Sequence, residues 1–457
     1  MLRSLTLRNF RAFRSQSFEF ARLNIFVGPN NSGKSSAISM INLMAQTINS
    51  PDVGQTPIMI NGQFDSLGTY IDLVHGNRSN TPLGFDVSFD QFQIKLDYKY
   101  RQQRREIEIV HFELFEGKRQ ILFYQARKDS YTVRVLGRDL ERLLPSSRKR
   151  RPVFRGFLPV GAFLNPMYLA RDPSMRTEDV EILRRAERSV MRARMRLRGL
   201  FSNFDSLSPF RDKPQRTYLY SGETAQRIGT TGGNTAVILS SDASRRGSES
   251  RGMSEEISRW FRVSGIADEV RIKSLTPRHF EIVVADENGA EHNICDVGFG
   301  CSQVLPVLAA SLNLFGGLSS QASREQPMLV VQEPEIHLHP NAQAALGSFF
   351  AGLLQQTGQI FLETHSDNLV LRIARHIADG TLAAEEVKVF YVRRSRGASV
   401  VTEVRIADDG TFATEWPGGF FPQRQSESLK LAQESYLAQK GRTAGRQFEF
   451  RYPEERR

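Results

Sequence analysis

Over residues 2–8 apolar and polar residues alternate, with Leu2, Leu5 and Leu7 on the apolar side, and Phe18, Phe20, Leu23, Ile25 and Val27 follow. A period near two predicts strands with a buried face. They lead into the loop Gly28-Pro29-Asn30-Asn31-Ser32-Gly33-Lys34-Ser35, after which the period changes. Ile38, Ile41, Met44 and Ile48 lie at helical spacing, so the order is strand, glycine loop, helix. Residues 82–136 alternate again, in FDVSF, IKLDYKY, IEIVHFELF, ILFYQ and YTVRVL. Short polar turns separate these runs, which predicts an antiparallel meander.

From 138 to 205 the pattern becomes strongly basic. Arg148, Lys149, Arg150 and Arg151 form one knot, and Arg184, Arg185, Arg188, Arg192, Arg194, Arg196 and Arg198 follow. Ile182, Val190, Met195 and Leu197 supply a sparse apolar stripe among the latter, which predicts a basic helix. Residues 222–253 are rich in Gly, Ser and Thr and read as flexible loop, and Asn288-Gly289 marks a hairpin. In the last third PMLVVQE, QIFLETHS, VKVFYVRR and SVVTEVRIA read as strands, with helices in NAQAALGSFFAGLLQ and DNLVLRIARHIA. That rhythm predicts a parallel sheet and an α/β fold class. No internal repeat is visible.

Charge narrows the choice of partner. The 457 residues carry a formal net charge of +11 and a pI near 9.8, which favours a polyanion such as nucleotide, DNA or RNA, or an acidic membrane surface. Only Cys295 and Cys301 are present, too few for a zinc site and poorly suited to a disulfide scaffold. No apolar run is long enough to cross a bilayer, and the N-terminus lacks the apolar centre of a signal peptide. A cytoplasmic location with no membrane partner is the expectation.

Four segments carry candidate chemistry. In Gly28-x-x-x-x-Gly33-Lys34-Ser35 the glycines let backbone N–H groups turn toward phosphates. Lys34 can reach the β/γ phosphates and Ser35 can bind Mg2+. Met328 to Glu335 is an apolar strand ending in Gln332, Glu333 and Glu335, which suits a site where water is polarised beside Mg2+. Phe361 to Ser366 is a second such strand, ending in His365. Asp296 to Gln303 is rich in small residues and opens a helix, where an anion site and a plain cap are both open readings.

In this order the four resemble the motifs of the ABC-type ATPases of the SMC/RecF/OLD group. The glycine loop is similar to Walker A, the Glu333 strand to Walker B, residues 298–303 to the signature motif and His365 to the switch histidine. QEPEIHLHP, ETHSDNLVLRI and the tail WPGGFF at 416–421 resemble a bacterial branch of that group, and LTLRNFRAF fits its opening strand. The resemblance implies an ABC-ATPase head with a parallel P-loop sheet, an antiparallel β lobe and a basic helical insert. Residues 1–137 and 206–380 would be the two halves of the head, 138–205 the insert and 381–457 a C-terminal module. It implies ATP and Mg2+ as cofactors. Glu333 and His365 would be catalytic, and Ser35 and Gln332 would lie at the metal. Arg11, Gly28, Asn30, Asn31, Ser32, Gly33, Lys34, Ser35, Ser36, Gly298, Gly300, Ser302 and Gln303 would contact nucleotide. Two copies would sandwich two ATP molecules, each between one copy's Walker A and the other's signature helix.

Gln332 departs from the family pattern, which places an acid there, so slow hydrolysis is one expectation. The function implied is an ATP-driven dimerising switch linked to nucleic acid, in anti-phage defence or DNA repair, with a separate effector such as a nuclease. A nucleotide-dependent scaffold with little turnover, holding an effector inactive, is the alternative. His337 and His339 beside Glu333 and Glu335 offer a further candidate metal site. The stretch between Ser35 and Leu329 is too short for a long coiled coil, and no TOPRIM-like acidic set or clear arginine finger is visible.

Overall fold

The computed structural model describes residues 1–50, 56–128, 130–143, 152–160, 176–245, 250–316, 326–414 and Trp416. Residues 1–414 form one compact unit and 415–457 a second. The basic knot at 148–151 and residues 417–421 of the WPGGFF tail lie outside the described residues.

Strand Leu23–Val27, which enters the glycine loop, is buried at every position. It lies between Gln359–Glu363 and Val387–Ser395, parallel to both. Met328–Gln332 pairs parallel with Gln359–Glu363, and Phe204–Leu207 pairs parallel with Met328–Gln332. Unbroken apolar runs such as LVV and IFL are what a sheet covered on both faces requires. Sequence-distant strands thus become neighbours, and residues 387–395 belong to the same sheet as the glycine-loop strand.

The expected parallel sheet is completed by a sixth strand, Ala398–Val404, which runs antiparallel to Val387–Ser395. Only Arg396 and Gly397 join the two, with φ of 48° and 80°. Positive φ at both residues of a two-residue turn makes a tight hairpin, and no crossover helix fits in that length.

The expected meander is present and larger than expected. Its order is Phe13–Glu19, Leu2–Phe10, Leu83–Phe89, Phe92–Arg101, Glu106–Glu116, Arg119–Ala126, Tyr131–Val135 and Arg138–Asp139, antiparallel throughout. Edge-to-face contacts join this sheet to the parallel one: Phe18 lies 5.5 Å from Phe390 and Phe20 lies 5.1 Å from Phe361. Each such pair contributes about 0.5–1.5 kcal/mol beyond area burial. Helix Lys34–Asn49 is buried continuously from Ser36 to Thr47 and shares one core with both sheets. Its polar Gln46 is satisfied by the Met59 and Ile60 carbonyls and the Asp65 N–H.

The basic helix spans Thr177–Ser202 and packs on helix Lys34–Asn49 and on the meander. Its buried stripe is Leu183, Ala186, Val190, Ala193, Leu197 and Leu200, whereas Met195 is 69% exposed. The expected stripe is corrected because two alanines let the helix approach closely and rotate Met195 outward. The loop expected over 222–253 contains helix Thr235–Ala243, whose Ile238 and Leu239 are buried. A second smaller sheet, built on Glu269–Thr276 and His279–Ala285, lies against helix Met253–Ser264.

Candidate active site

The glycine loop leaves no room for side chains where it bends. Gly28 has φ of 144°, and a Cβ there would fall 2.1 Å from the Val392 carbonyl oxygen. Gly33 has φ of 103°, and a Cβ would fall 2.4 Å from Ser399 Oγ. Lys34 is buried, and its Nζ donates to the carbonyls of Gly28 and Pro29 at 3.0 Å each. Burial pushes its pKa down, and the charges of Glu363, Glu333 and Glu335 push the other way. A buried ammonium held by neutral carbonyls, at the start of a helix with no acid in its first turn, is matched to an incoming anion.

Across the loop, the carboxyl ends of two neighbouring strands present their polar residues. Ser35 Oγ donates to Glu363 Oε1 at 2.8 Å, and Gln332 Nε2 donates to Glu363 Oε2 at 2.9 Å. Gln332 and Glu363 are register partners, and Glu363 is 3% exposed. Glu333 holds a left-handed backbone, φ 47°, which costs a non-glycine residue about 1–2 kcal/mol. Its N–H donates to the Glu363 carbonyl at 2.7 Å, and Arg211 Nη2 donates to the carbonyls of Gln332 and Glu333 at 2.8 and 3.2 Å.

His365 Nε2 lies 3.9 Å from Glu333 Oε1. Burial, then Lys34, push the His365 pKa down, so the ring is neutral at pH 7 and the contact is not an ion pair. The His365 N–H donates to Oε1 of Glu335 at 2.6 Å. Glu335 is nearly buried, and its burial pushes its pKa up. It ties the two strand ends together. A carboxylate and a neutral imidazole at this spacing can both address one oxygen beside a bound phosphate.

A family profile described as "AAA domain, putative AbiEii toxin, Type IV TA system" matches residues 23–372, more than half of the chain. The chain belongs to this AAA family. Among curated proteins no sequence matches it. Solved structures similar to it include an SMC head domain from Thermotoga maritima, at 14% identity and TM-score 0.37, covering 89% of this chain and 99% of that one. An SMC head bound to the C-terminal winged-helix domain of ScpA matches at 12% identity and TM-score 0.39, covering 89% and 98%. An SMC head with an extended coiled coil, bound to a ScpA domain from Pyrococcus furiosus, matches at 13% and 0.38, covering 95% and 99%.

Two residues of this AAA chain join the site without having been expected there. Glu363 is the last position of a buried apolar strand, an unusual place for an acid, and that placement was the signal available. Arg211 lies in the polar segment SPFRDKP and gives no pattern to read. Burial pushes its pKa down to about 10, and its Nε and Nη1 find no hydrogen-bond partner among the described residues.

The remaining expected residues are distributed around this centre. Asn30, Asn31 and Ser35 are exposed along the loop, and Ser32 and Ser36 are buried. Arg11 donates to Ser39 Oγ at 3.2 Å and, with Arg14, His75 and Arg394, lines an open cavity of about 700 Å3 that Asn31 and Gly33 also border. That cationic space is large enough for the rest of a nucleotide. Gly298 caps helix Phe299–Phe315, and Gly300 packs on His337, whose carbonyl oxygen would lie 2.6 Å from an added Cβ. Ser302 and Gln303 are buried, and Ser302 Oγ donates to the Phe299 carbonyl. Phe299 and Gly300 pack on His337, in the segment after Glu333. His339 caps helix Pro340–Leu353. Among the described residues no group of three or more His, Cys, Asp and Glu side chains is placed to hold a metal by itself.

Proposed function

We propose that the protein is a Mg2+-dependent ATPase that dimerises on ATP and works as a nucleic-acid-linked switch. The AAA family and the P-loop sheet support the nucleotide-binding ATPase class. The observation that carries the catalytic reading is the convergence of the glycine loop, Glu333 and His365 at the carboxyl ends of adjacent parallel strands.

Lys34 and the loop N–H groups hold the β/γ phosphates. Ser35 would hold Mg2+, with Gln332 and Glu363 behind it, and the ion neutralises phosphate charge when bound. Glu333, fixed by its left-handed backbone, orients the attacking water and takes its proton. Neutral His365 hydrogen-bonds a γ-phosphate oxygen. The exposed N-terminal end of helix Phe299–Phe315 would meet the ATP of a second copy, which makes ATP a removable link between subunits. The scaffold alternative rests on the missing charge at Gln332, and the buried carboxylate of Glu363 beside Gln332 supports turnover instead.

The test is light scattering of Glu333→Gln with ATP. The variant should bind ATP and accumulate as an ATP-dependent dimer, or as the next assembly if the ATP-free chain is already dimeric. Wild-type turnover without any change of mass would refute both roles.

Nucleic acid as an input is supported by the net charge and by helix Thr177–Ser202. Arg188, Arg192 and Arg196 are engaged with Glu181, Glu116 and Asp90 at 2.8, 2.9 and 3.8 Å, so the simple arginine face does not stand free. Arg184, Arg185 and Arg198 are exposed along the same helix. If these three contact duplex phosphates, log affinity should fall with log salt at a slope near −2.7. A slope unchanged in the triple alanine variant would take nucleic acid away from this helix. A place beside a separately encoded effector, such as a nuclease, in anti-phage defence or DNA repair is the biological setting we propose.

A further inference from the structure

Glu363 is a buried acid that the motif pattern does not account for. It is 3% exposed, and the nearby Lys34 ammonium is hydrogen-bonded to the Gly28 and Pro29 carbonyls rather than to its carboxylate. A buried carboxylate without a cation is expensive, by several kcal/mol after relaxation. Among the described residues two neutral donors satisfy it, the Ser35 hydroxyl at 2.8 Å and the Gln332 amide at 2.9 Å. Lys34 contributes at longer range.

We propose that Glu363, and not the residue at the Walker B position, supplies the acid that seats Mg2+ against Ser35. The proposal rests on the ATPase reading above and assigns its metal-side charge. A serine that ligates a cation as a neutral hydroxyl needs an acceptor for its proton. Glu363 Oε1 is that acceptor, and it leaves the lone pairs of Ser35 Oγ for the metal. A carboxylate offers about four lone-pair directions, of which two are used here, so it can also accept from metal-bound water. The incoming cation would compensate the buried charge.

The strand register explains why Gln332 is tolerated. Gln332 and Glu363 face each other at the ends of adjacent parallel strands and share one amide–carboxylate hydrogen bond. Exchanging them moves the acid by one strand and keeps one amide and one carboxylate in that bond. The charge presented to Ser35 is the same, so acid and amide should be interchangeable across this pair.

The experiment compares the full chain, Glu363→Gln and the exchanged double variant Gln332→Glu/Glu363→Gln. ATP affinity is titrated in EDTA and in Mg2+, and Mn2+ binding to the ATP complex is followed by electron paramagnetic resonance. Glu363→Gln should match wild type in EDTA and lose about 10–100-fold in Mn2+ affinity. The exchanged variant should recover most of that loss. If Glu363→Gln does not fold, the exchanged variant decides alone, by whether it holds Mn2+ near the wild-type level. Wild-type Mn2+ affinity in Glu363→Gln, or no recovery on exchange, overturns the proposal. A wild-type chain that binds ATP neither in EDTA nor in Mg2+ would instead overturn the ATPase reading itself.

Discussion

Replacing Arg211 with methionine should slow turnover while leaving ATP affinity and stability nearly unchanged. Arg211 Nη2 reaches the carbonyls of both Gln332 and Glu333, and Glu333 sits at φ 47°. A hydrogen bond from a charged donor contributes about 1.5–3 kcal/mol, and the left-handed backbone costs about 1–2 kcal/mol. The two are of similar size, so Arg211 is what tips Glu333 into its pose, with the 2.7 Å bond from its N–H to Glu363 as the remaining restraint. Without Arg211 the pose becomes a minor state, and kcat should fall about 10–100-fold at ~1.4 kcal/mol per tenfold. Stability should behave differently. The guanidinium is buried with Nε and Nη1 unpartnered among the described residues, and burial brings its pKa down to about 10. A methionine of similar length removes that burden, so the urea midpoint should hold or rise. Phosphate release at saturating ATP, an ATP titration and a urea melt make the assay. Unchanged kcat, or ATP affinity falling as far as kcat, would refute the reasoning.

Gly28→Ala should abolish ATP binding and lower the melting temperature, because its Cβ would lie 2.1 Å from the Val392 carbonyl oxygen at φ 144°, strain of at least ~1–3 kcal/mol. A wild-type ATP titration of that variant would show that the loop is not packed as described. Asp205 is fully buried and accepts from the N–H groups of Ile228 and Ser206, and burial pushes its pKa up to about 6 from 3.8. Its protonated form is therefore favoured by folding. The contribution is fully present below about pH 4 and lost as pH rises through about 6, a change of roughly 3 kcal/mol. Urea midpoints of wild type and Asp205→Asn across pH 4–7 should converge or cross in that direction, and a difference independent of pH would contradict the assignment.

The local elements were legible wherever one period dominated. The glycine loop, the apolar strands ending at Gln332 and Glu363 and the helix after Ser35 could be read because buried strands and buried helices restrict composition strongly. Sheet order could not be read, since nothing local says that Leu23–Val27 inserts between Gln359–Glu363 and Val387–Ser395. The rotation of helix Thr177–Ser202 is hidden in the sequence because the buried Ala186 and Ala193 carry less apolar signal than the exposed Met195. Helix Thr235–Ala243 was hidden by the glycine and serine around a short apolar run. In the site, the gap at Gln332 was visible but its compensation was not, because Glu363 becomes its neighbour only through pairing between strands.

The most direct test of the central claim is steady-state phosphate release from ATP by the full chain, with Mg2+ and with EDTA, beside Lys34→Ala and Glu333→Gln. The account predicts Mg2+-dependent release by wild type. It predicts no ATP binding at micromolar nucleotide by Lys34→Ala, whose ammonium is the loop's own cation. It predicts ATP binding with turnover reduced at least ~100-fold in Glu333→Gln, as expected for loss of a general base. Full turnover by Glu333→Gln, or release by wild type that Lys34→Ala reproduces, would contradict it.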